Sequence, residues 1–493
     1  MVWPWQVDTY FSPASLAALL LLSGCSLLTE EPSQHPDDCF VSPLTEVENS
    51  ISGAPLIHWH PERYIPTTDC GYENGRITNR LNLTEIHGER EFTRNARLID
   101  LNGDDQRELV TRTMNENRGR ALDPKTGETL WVSPDVLPAY HHPQASDLAA
   151  GDVTGDGTVE VLILSYDGHV LCIDGRDGSL QWHRRLPYHI NNPDLQASLS
   201  NITDHPGLEL ALTVGNDFKW GPRDRPRINL MRNPSVLVLR ADGKTAWKAH
   251  RYDRTNSRGH KTWVHDVNND GYAEVFAIGN RKIHAFDRHG EPLFRVPLEY
   301  SGHPDQIVFG DWSSENPGDE VIYTDGIRAI GVASSTGQIL DYHTVTDSLQ
   351  GHLQDLIFIP SPDGPRLLAQ NIRAPDAKTI LYDQELNPLW VAQLGYRASM
   401  QTTKLLDWTG DGTPEIATGS ITSTNDTQCS LQVMTLDGDP LYWHRWNGFP
   451  LCILTDAHAD KLLLGVGWNE GSEGRYSLPR GMSTNLIIIN TPN

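Results

Sequence analysis

After residue 30 the 493-residue sequence has no long amphipathic helical pattern, and only 38% of its residues are hydrophobic. With 41 Gly and 32 Pro, it reads as many turns and short strands. Cysteine is scarce, at six residues, and no Cys-x-x-Cys pair occurs, which argues against a thiolate zinc site. Cys172 lies in an apolar stretch and reads as a buried thiol. Cys39 with Cys70, and Cys429 with Cys452, could pair or stay free. Positive charge is in short supply: 40 Lys and Arg stand against 64 Asp and Glu, a net −24. That balance argues against general nucleic-acid binding. No Gly-rich phosphate loop, nucleophile elbow or His-Glu-x-x-His motif is present.

The apolar run Leu16 to Leu22 is too short to span a bilayer. It ends in Leu22-Ser23-Gly24-Cys25 and resembles a bacterial lipoprotein signal, which implies lipidation at Cys25. An ordinary signal peptide or a different start is the alternative, because Met1 to Tyr10 lacks Lys and Arg. The expected organisation is a signal peptide over 1–25, a flexible tether over 26–50 and a single domain over 51–493. The expected location is the bacterial outer membrane or cell surface, held through the lipid alone, with the periplasm as the alternative.

What the sequence has is self-similarity. Four segments share one register: Asp100-x-Asn102-x-Asp104-x-x-x-Glu108, Asp152-x-Thr154-x-Asp156-x-x-x-Glu160, Asp266-x-Asn268-x-Asp270-x-x-x-Glu274 and Asp407-x-Thr409-x-Asp411-x-x-x-Glu415. Apolar runs flank each one, so the runs are strands and the segment is a hairpin tip. Oxygens at positions one, three, five and nine can wrap a hard cation, with carbonyls and water completing the six to eight ligands of calcium. The alternative is a set of metal-free polar turns. Weaker copies stand at Asn201, Thr203 and Glu209, and at Asp311, Ser313 and Asp319. Near Pro360 and Asp456 only the strand pattern remains.

A second element follows each loop. Asp123 to Trp131 recurs as Asp174 to Trp182, Ala241 to Trp247, Asp287 to Phe294, Tyr382 to Trp390 and Asp437 to Trp443. It reads as strand, tight turn, strand, and its terminal aromatic as packing between neighbouring repeats. Each repeat is then four strands, A to D, of propeller-blade length. The last repeat stops at Asn485-Leu-Ile-Ile-Ile489, with no strand D after it. Gly53 to Trp59 matches the strand-D element, so an N-terminal strand is expected to close the ring. The fold class is all-β, an eight-bladed β-propeller with seven blades as the alternative. The loops resemble the FG-GAP/VCBS class of calcium-binding propeller repeats, over about residues 94–490. That resemblance implies architecture and calcium, not activity.

Connection parity divides the expected chemistry. The A–B and C–D connections leave one face, and the B–C and D–A connections leave the other. The metal loops are all A–B, which makes that face acidic. Between residues 215 and 262 twelve Lys and Arg stand against four Asp, or +8, mostly in a B–C insertion and the D–A link after it. The same links carry His and Tyr: His142, Tyr188, His189, His260 and His303. A basic surface on an acidic protein suits an anionic ligand.

Arg258-Gly-His260 and Gly302-His303-Pro-Asp305 resemble strand entries of the propeller-type rhamnogalacturonan and ulvan lyases. The resemblance implies β-elimination on a uronic-acid glycan. Arg258 would neutralise the carboxylate, and His142, His189, His260 or Tyr188 would carry the proton. Arg223, Arg225, Arg227, Arg254 and His303 would bind substrate. The rival reading is a non-catalytic surface lipoprotein, a monomer that binds glycan or protein. A third is an outer-membrane assembly propeller with quinoprotein-like Trp repeats, which the Asp-x-x-x-Gly-x-x-x-Trp element fits and the A–B loops do not.

Overall fold

The structure is a computed structural model, and it describes most strands and turns between residues 54 and 490. Residues 1–53, 59–70, 89–95, 113–117, 137–145, 191–197, 219–230, 250–261, 301–305, 372–376, 422–427, 456–460 and 468–483, with shorter gaps, lie outside the description. The described residues all belong to one compact unit, Cys39–Asn493. Among the described residues no helix is long and apolar enough to cross a membrane.

Among the described residues, eight sheets built on four antiparallel strands follow one another along the chain, and sheets three and six carry a fifth strand. Sheet one is Arg97–Ile99, Glu108–Arg112, Gly119–Leu122 and Thr129–Val132. Sheet two is Ser146–Gly151, Glu160–Ser165, His169–Asp174 and Leu180–Arg185. Sheet three is Ser198–Ser200, Glu209–Gly215, Ser235–Leu239 and Thr245–Ala249. Sheet four is Thr262–His265, Glu274–Gly279, Lys282–Phe286 and Pro292–Pro297. Sheet five is Ile307–Gly310, Glu320–Asp325, Ala329–Ala333 and Ile339–Thr344. Sheet six is Leu353–Ile359, Arg366–Asn371, Ala377–Tyr382 and Pro388–Gly395. Sheet seven is Arg397–Leu406, Glu415–Ile421, Gln428–Met434 and Pro440–Asn447. Sheet eight is Phe449–Thr455, Lys461–Gly467 and Thr484–Asn490, completed by Leu83–Gly88.

Each middle strand serves two neighbours, because successive side chains leave opposite faces. Val161 and Ile163 pack with Val110 and Trp131 of sheet one. Leu162 and Leu164 pack with Leu210 and Leu237 of sheet three. This two-sided burial explains why Glu160–Ser165 is buried throughout and reads as a continuous apolar run. The same sharing joins sheets three to four, four to five, five to six, and six to seven. Strand A of sheet eight lies against strand A of sheet one, which closes the ring.

An N-terminal strand does complete the last sheet, but Gly53 to Trp59 is not that strand. Leu83–Gly88 pairs antiparallel with Thr484–Asn490. Leu56–His58 instead adds a fifth, parallel strand to the outer edge of sheet six, with Leu56 opposite Val391. Leu83–Gly88 lacks the turn glycine and the aromatic of the strand-D element, so only its pairing reveals it.

The aromatic element joins the sheets as expected. The indole of Trp131 donates to the Gly175 carbonyl at 2.6 Å, across to the C–D turn of sheet two. Trp182 donates to Ala241 at 2.8 Å, and Trp390 to Leu436 at 2.8 Å. Glycine is required beneath the rings. Gly178 has φ +73°, and a Cβ there would lie 2.9 Å from the Trp131 ring. In sheet seven Tyr442 is buried, four residues after Gly438, the spacing at which Trp131 follows Gly127.

Candidate functional site

The A–B loops are built around two kinds of carboxylate. At position one, Asp100 accepts from the backbone N–H groups of Gly103 at 2.7 Å and Asp105 at 2.9 Å. Asp152, Asp266 and Asp407 do the same with Gly157, Gly271 and Gly412, at 3.0, 2.8 and 2.9 Å. At position five, Asp104, Asp156, Asp270 and Asp411 each accept from the N–H two residues on, at 2.7–2.9 Å. Burial pushes the Asp100 carboxyl up, but its four backbone donors outweigh burial and leave it below the ordinary range.

Position nine behaves differently. Glu108 accepts from Leu101 N–H at 2.8 Å, Glu160 from Thr154 at 3.0 Å, Glu274 from Val267 at 3.0 Å and Glu415 from Trp408 at 2.5 Å. The second oxygen takes the position-three donor, as from Asn268 Nδ2 to Glu274 at 2.7 Å. Burial raises the Glu108, Glu274 and Glu415 carboxyls, with Glu274 pushed up to about 7. These glutamates close the loops from inside.

The same closure persists where the position-five aspartate is gone. Glu209 accepts from Ile202 at 2.9 Å and from Thr203 Oγ1 at 2.6 Å. In sheet five the loop is one residue longer, so Glu320 takes this role, accepting from Trp312 at 2.7 Å, and Asp319 does not. Asp319 instead meets His265 Nε2 at 2.6 Å. Positions one, five and nine thus all accept hydrogen bonds from within the loop, position one from the most backbone N–H groups and position nine also from the position-three side chain. Among the described residues no three His, Cys, Asp or Glu side chains converge as a metal-binding group.

The face that bears these loops is not uniformly acidic. C–D turns share it, and they bring Arg176, Arg240, Lys244 and Arg288. Arg288 reaches Asp204 of the sheet-three loop at 3.3 Å, and Lys244 pairs with Asp242 at 2.8 Å.

On the opposite face the insertion of sheet three leaves the far end of Glu209–Gly215 from the A–B loop. It begins as a small ribbon in which Asp217 pairs with Arg232. His142, Arg223, Arg225, Arg227, Arg254, Arg258, His260 and His303 lie outside the described residues, as does Cys25. Of the expected proton carriers the structure places two. Tyr188 is pinned by its backbone against Gly168, and Lys248 Nζ sits 3.5 Å from the centre of its ring. His189 forms a two-residue strand against Gly215.

Three features of this face were not legible in the sequence. Buried Asp325 accepts from Tyr300 N–H at 3.1 Å and from Tyr342 Oη at 2.6 Å, tying the link after sheet four to sheet five. Burial, then the Asp325 bond, raises the Tyr342 phenol. Tyr300 is 44% exposed, stacks on Tyr342 at 6.3 Å and has Arg328 5.9 Å above it. Sheet two carries a stacked pair, His169 and His183. Cys172 is buried as expected, and burial pushes its thiol up to about 12.

The family model for the outer membrane protein assembly factor BamB matches residues 93–207, less than a quarter of the chain. No curated protein matches it. Among solved structures, Sqt1 of Saccharomyces cerevisiae is 13% identical, covering 83% of this chain and 98% of its own, at a TM-score of 0.54. The fold is a β-propeller. Dihydro-heme d1 dehydrogenase NirN is 14% identical over 78% of this chain and 74% of its own, at 0.52. Quinohemoprotein alcohol dehydrogenase from Comamonas testosteroni is 12% identical over 84% and 77%, at 0.50. At such identities the likeness concerns the fold alone. The match at 93–207 lies on the Trp-bearing sheets, which favours the assembly-propeller resemblance there; nothing in the comparisons points to FG-GAP/VCBS repeats or to a lyase.

Proposed function

We propose that this propeller is a non-catalytic docking platform, held at the cell envelope by lipid on Cys25, which binds an acidic protein partner as a monomer. Connection parity carries the reading. The basic insertion of sheet three and the D–A links leave the ring on the side opposite the Asp100, Asp152, Asp266 and Asp407 loops. The assembly-factor likeness of residues 93–207 supports a protein as partner. A photo-crosslinker at Tyr300 should trap a partner, and the same group at Arg176 should not. Reversing Arg223, Arg225 and Arg227 to Glu should abolish the Tyr300 crosslink. Crosslinks from Arg176 alone would overturn the assignment.

One observation favours an acidic polysaccharide as a second reading: Tyr300, Tyr342 and Arg328 form a partly exposed aromatic and cationic stack, which suits a sugar ring bearing a carboxylate. Cleavage by β-elimination would fall to His142, His189, Arg258 and His260. Tyr188, clamped between Gly168 and Lys248, is better suited to holding its link in place. Release of unsaturated uronate from an acidic glycan, read by ultraviolet absorbance, would decide for the lyase.

We also propose calcium in the four aspartate loops, bound through positions one, three and five with carbonyls and water. Metal that binds only the native state stabilises it by mass action. Chelation with EGTA should lower the melting temperature by a few degrees, and calcium should restore it. A melting temperature indifferent to both would leave the loops as self-closed turns.

A further inference from the structure

Sheet two holds a row of four polar side chains that none of the preceding roles uses. Ser165 Oγ donates to Asp167 Oδ1 at 2.5 Å. Asp167 Oδ2 lies 3.3 Å from His169 Nε2. His169 Nδ1 lies 2.7 Å from His183 Nε2, with the rings stacked at 5.0 Å and 22°. His169 begins strand C and is buried, whereas His183 is exposed on strand D. The B–C turn places the group on the face proposed for docking, though nothing below depends on that proposal.

Asp167 Oδ2 stands close to the far nitrogen of His169, and its charge favours the tautomer that keeps the proton on Nε2 and leaves Nδ1 a lone pair toward His183. In that tautomer His183 Nε2 is the donor across the contact between the rings. Burial, and then His169, lower the pKa of the His183 imidazole, and Asp167 opposes them. Two imidazole nitrogens facing each other at 2.7 Å, one ring with a carboxylate beside its far nitrogen, supply the donors of a ligating histidine pair and an outer-shell carboxylate.

We propose that His169 Nδ1 and His183 Nε2 form a two-imidazole site for a borderline divalent transition ion such as Zn2+, with Asp167 as its positioning carboxylate. The ion replaces the shared proton, and His183 moves its proton to Nδ1, so no net charge leaves the protein. Zinc–nitrogen bonds of about 2.0–2.1 Å at a tetrahedral angle need nitrogens roughly 3.3 Å apart. Exposed His183 can swing out by the required half ångström or so, while packed His169 stays. Imidazole donors separate this site from the oxygen-lined loops, which suit calcium. Two protein ligands leave two positions for water or for a donor on a bound molecule.

The test uses the full chain, stripped by chelator and then titrated with ZnCl2 by calorimetry under excess calcium. One site in the micromolar range is expected, and His183→Ala should remove it. Asp167→Asn should weaken it about 10–100-fold. Zinc should raise the melting temperature of the parent and leave that of His183→Ala unchanged. Because His183 is exposed, the metal-free variant should melt like the parent. Equal zinc stoichiometry and affinity in the parent and His183→Ala would overturn the site, as would no binding below millimolar zinc. Unchanged affinity in Asp167→Asn would remove the positioning role.

Discussion

A chain that begins at residue 90 is expected to lose its cooperative transition or to melt on the order of 10 °C below the parent, while one that begins at residue 71 is expected to melt close to it. The first truncation removes Leu83–Gly88, which pairs with Thr484 to Ile489. The second removes only Leu56–His58, a three-residue addition to the rim of sheet six. Without its partner, Leu486-Ile487-Ile488-Ile489 becomes an open edge of strongly β-forming residues. Light scattering on heating should therefore rise for the first chain and not for the second. Parallel behaviour of the two chains would mean that the ring does not depend on Leu83–Gly88.

Replacing Trp131 by Ala should destabilise the protein by about 3–5 kcal/mol. The ring is buried between sheets one and two, its indole donates to the Gly175 carbonyl, and it covers Gly178. Trp131→Phe should cost less, since it keeps the ring contact and leaves one carbonyl unpaired, at about 1–3 kcal/mol. Denaturant midpoints for the two variants would show the order. An alanine variant within a few tenths of a kcal/mol of the parent would mean that the sheets dock by strand packing alone.

The strands and the repeat were legible because both sides of each sheet are buried, so that Val161 to Leu164 stands out as an apolar run between turn residues. The Trp element was legible for the same reason: its glycine and its aromatic keep a fixed spacing. Connection parity followed from the four-strand unit. The identity of the closing strand did not follow, because Gly53 to Trp59 carries the strand-D pattern while Leu83–Gly88, the strand that pairs, does not. The inward turn of Glu108 and its equivalents was hidden by chemistry. A carboxylate that closes a loop occupies the same place in a sequence as one that binds a cation, and the closing bonds appear only in the structure, at Glu209 and Glu320 as at Glu108. His169 and His183 were missed because they are fourteen residues apart and meet only through the C–D register.

The extra strand on sheet six also says something about the other outer strands. A segment of this chain adds itself to that rim by backbone pairing, so a rim strand of this ring can template another chain. Where no strand covers it, the rim is guarded by composition. Pro292 and Pro297 bracket the outer strand of sheet four, His183, Arg184 and Arg185 end that of sheet two, and Lys248 lies near the end of that of sheet three. Proline withholds a donor and clustered charge repels a second copy, so these residues act against fibre growth and against stacking of one ring on another.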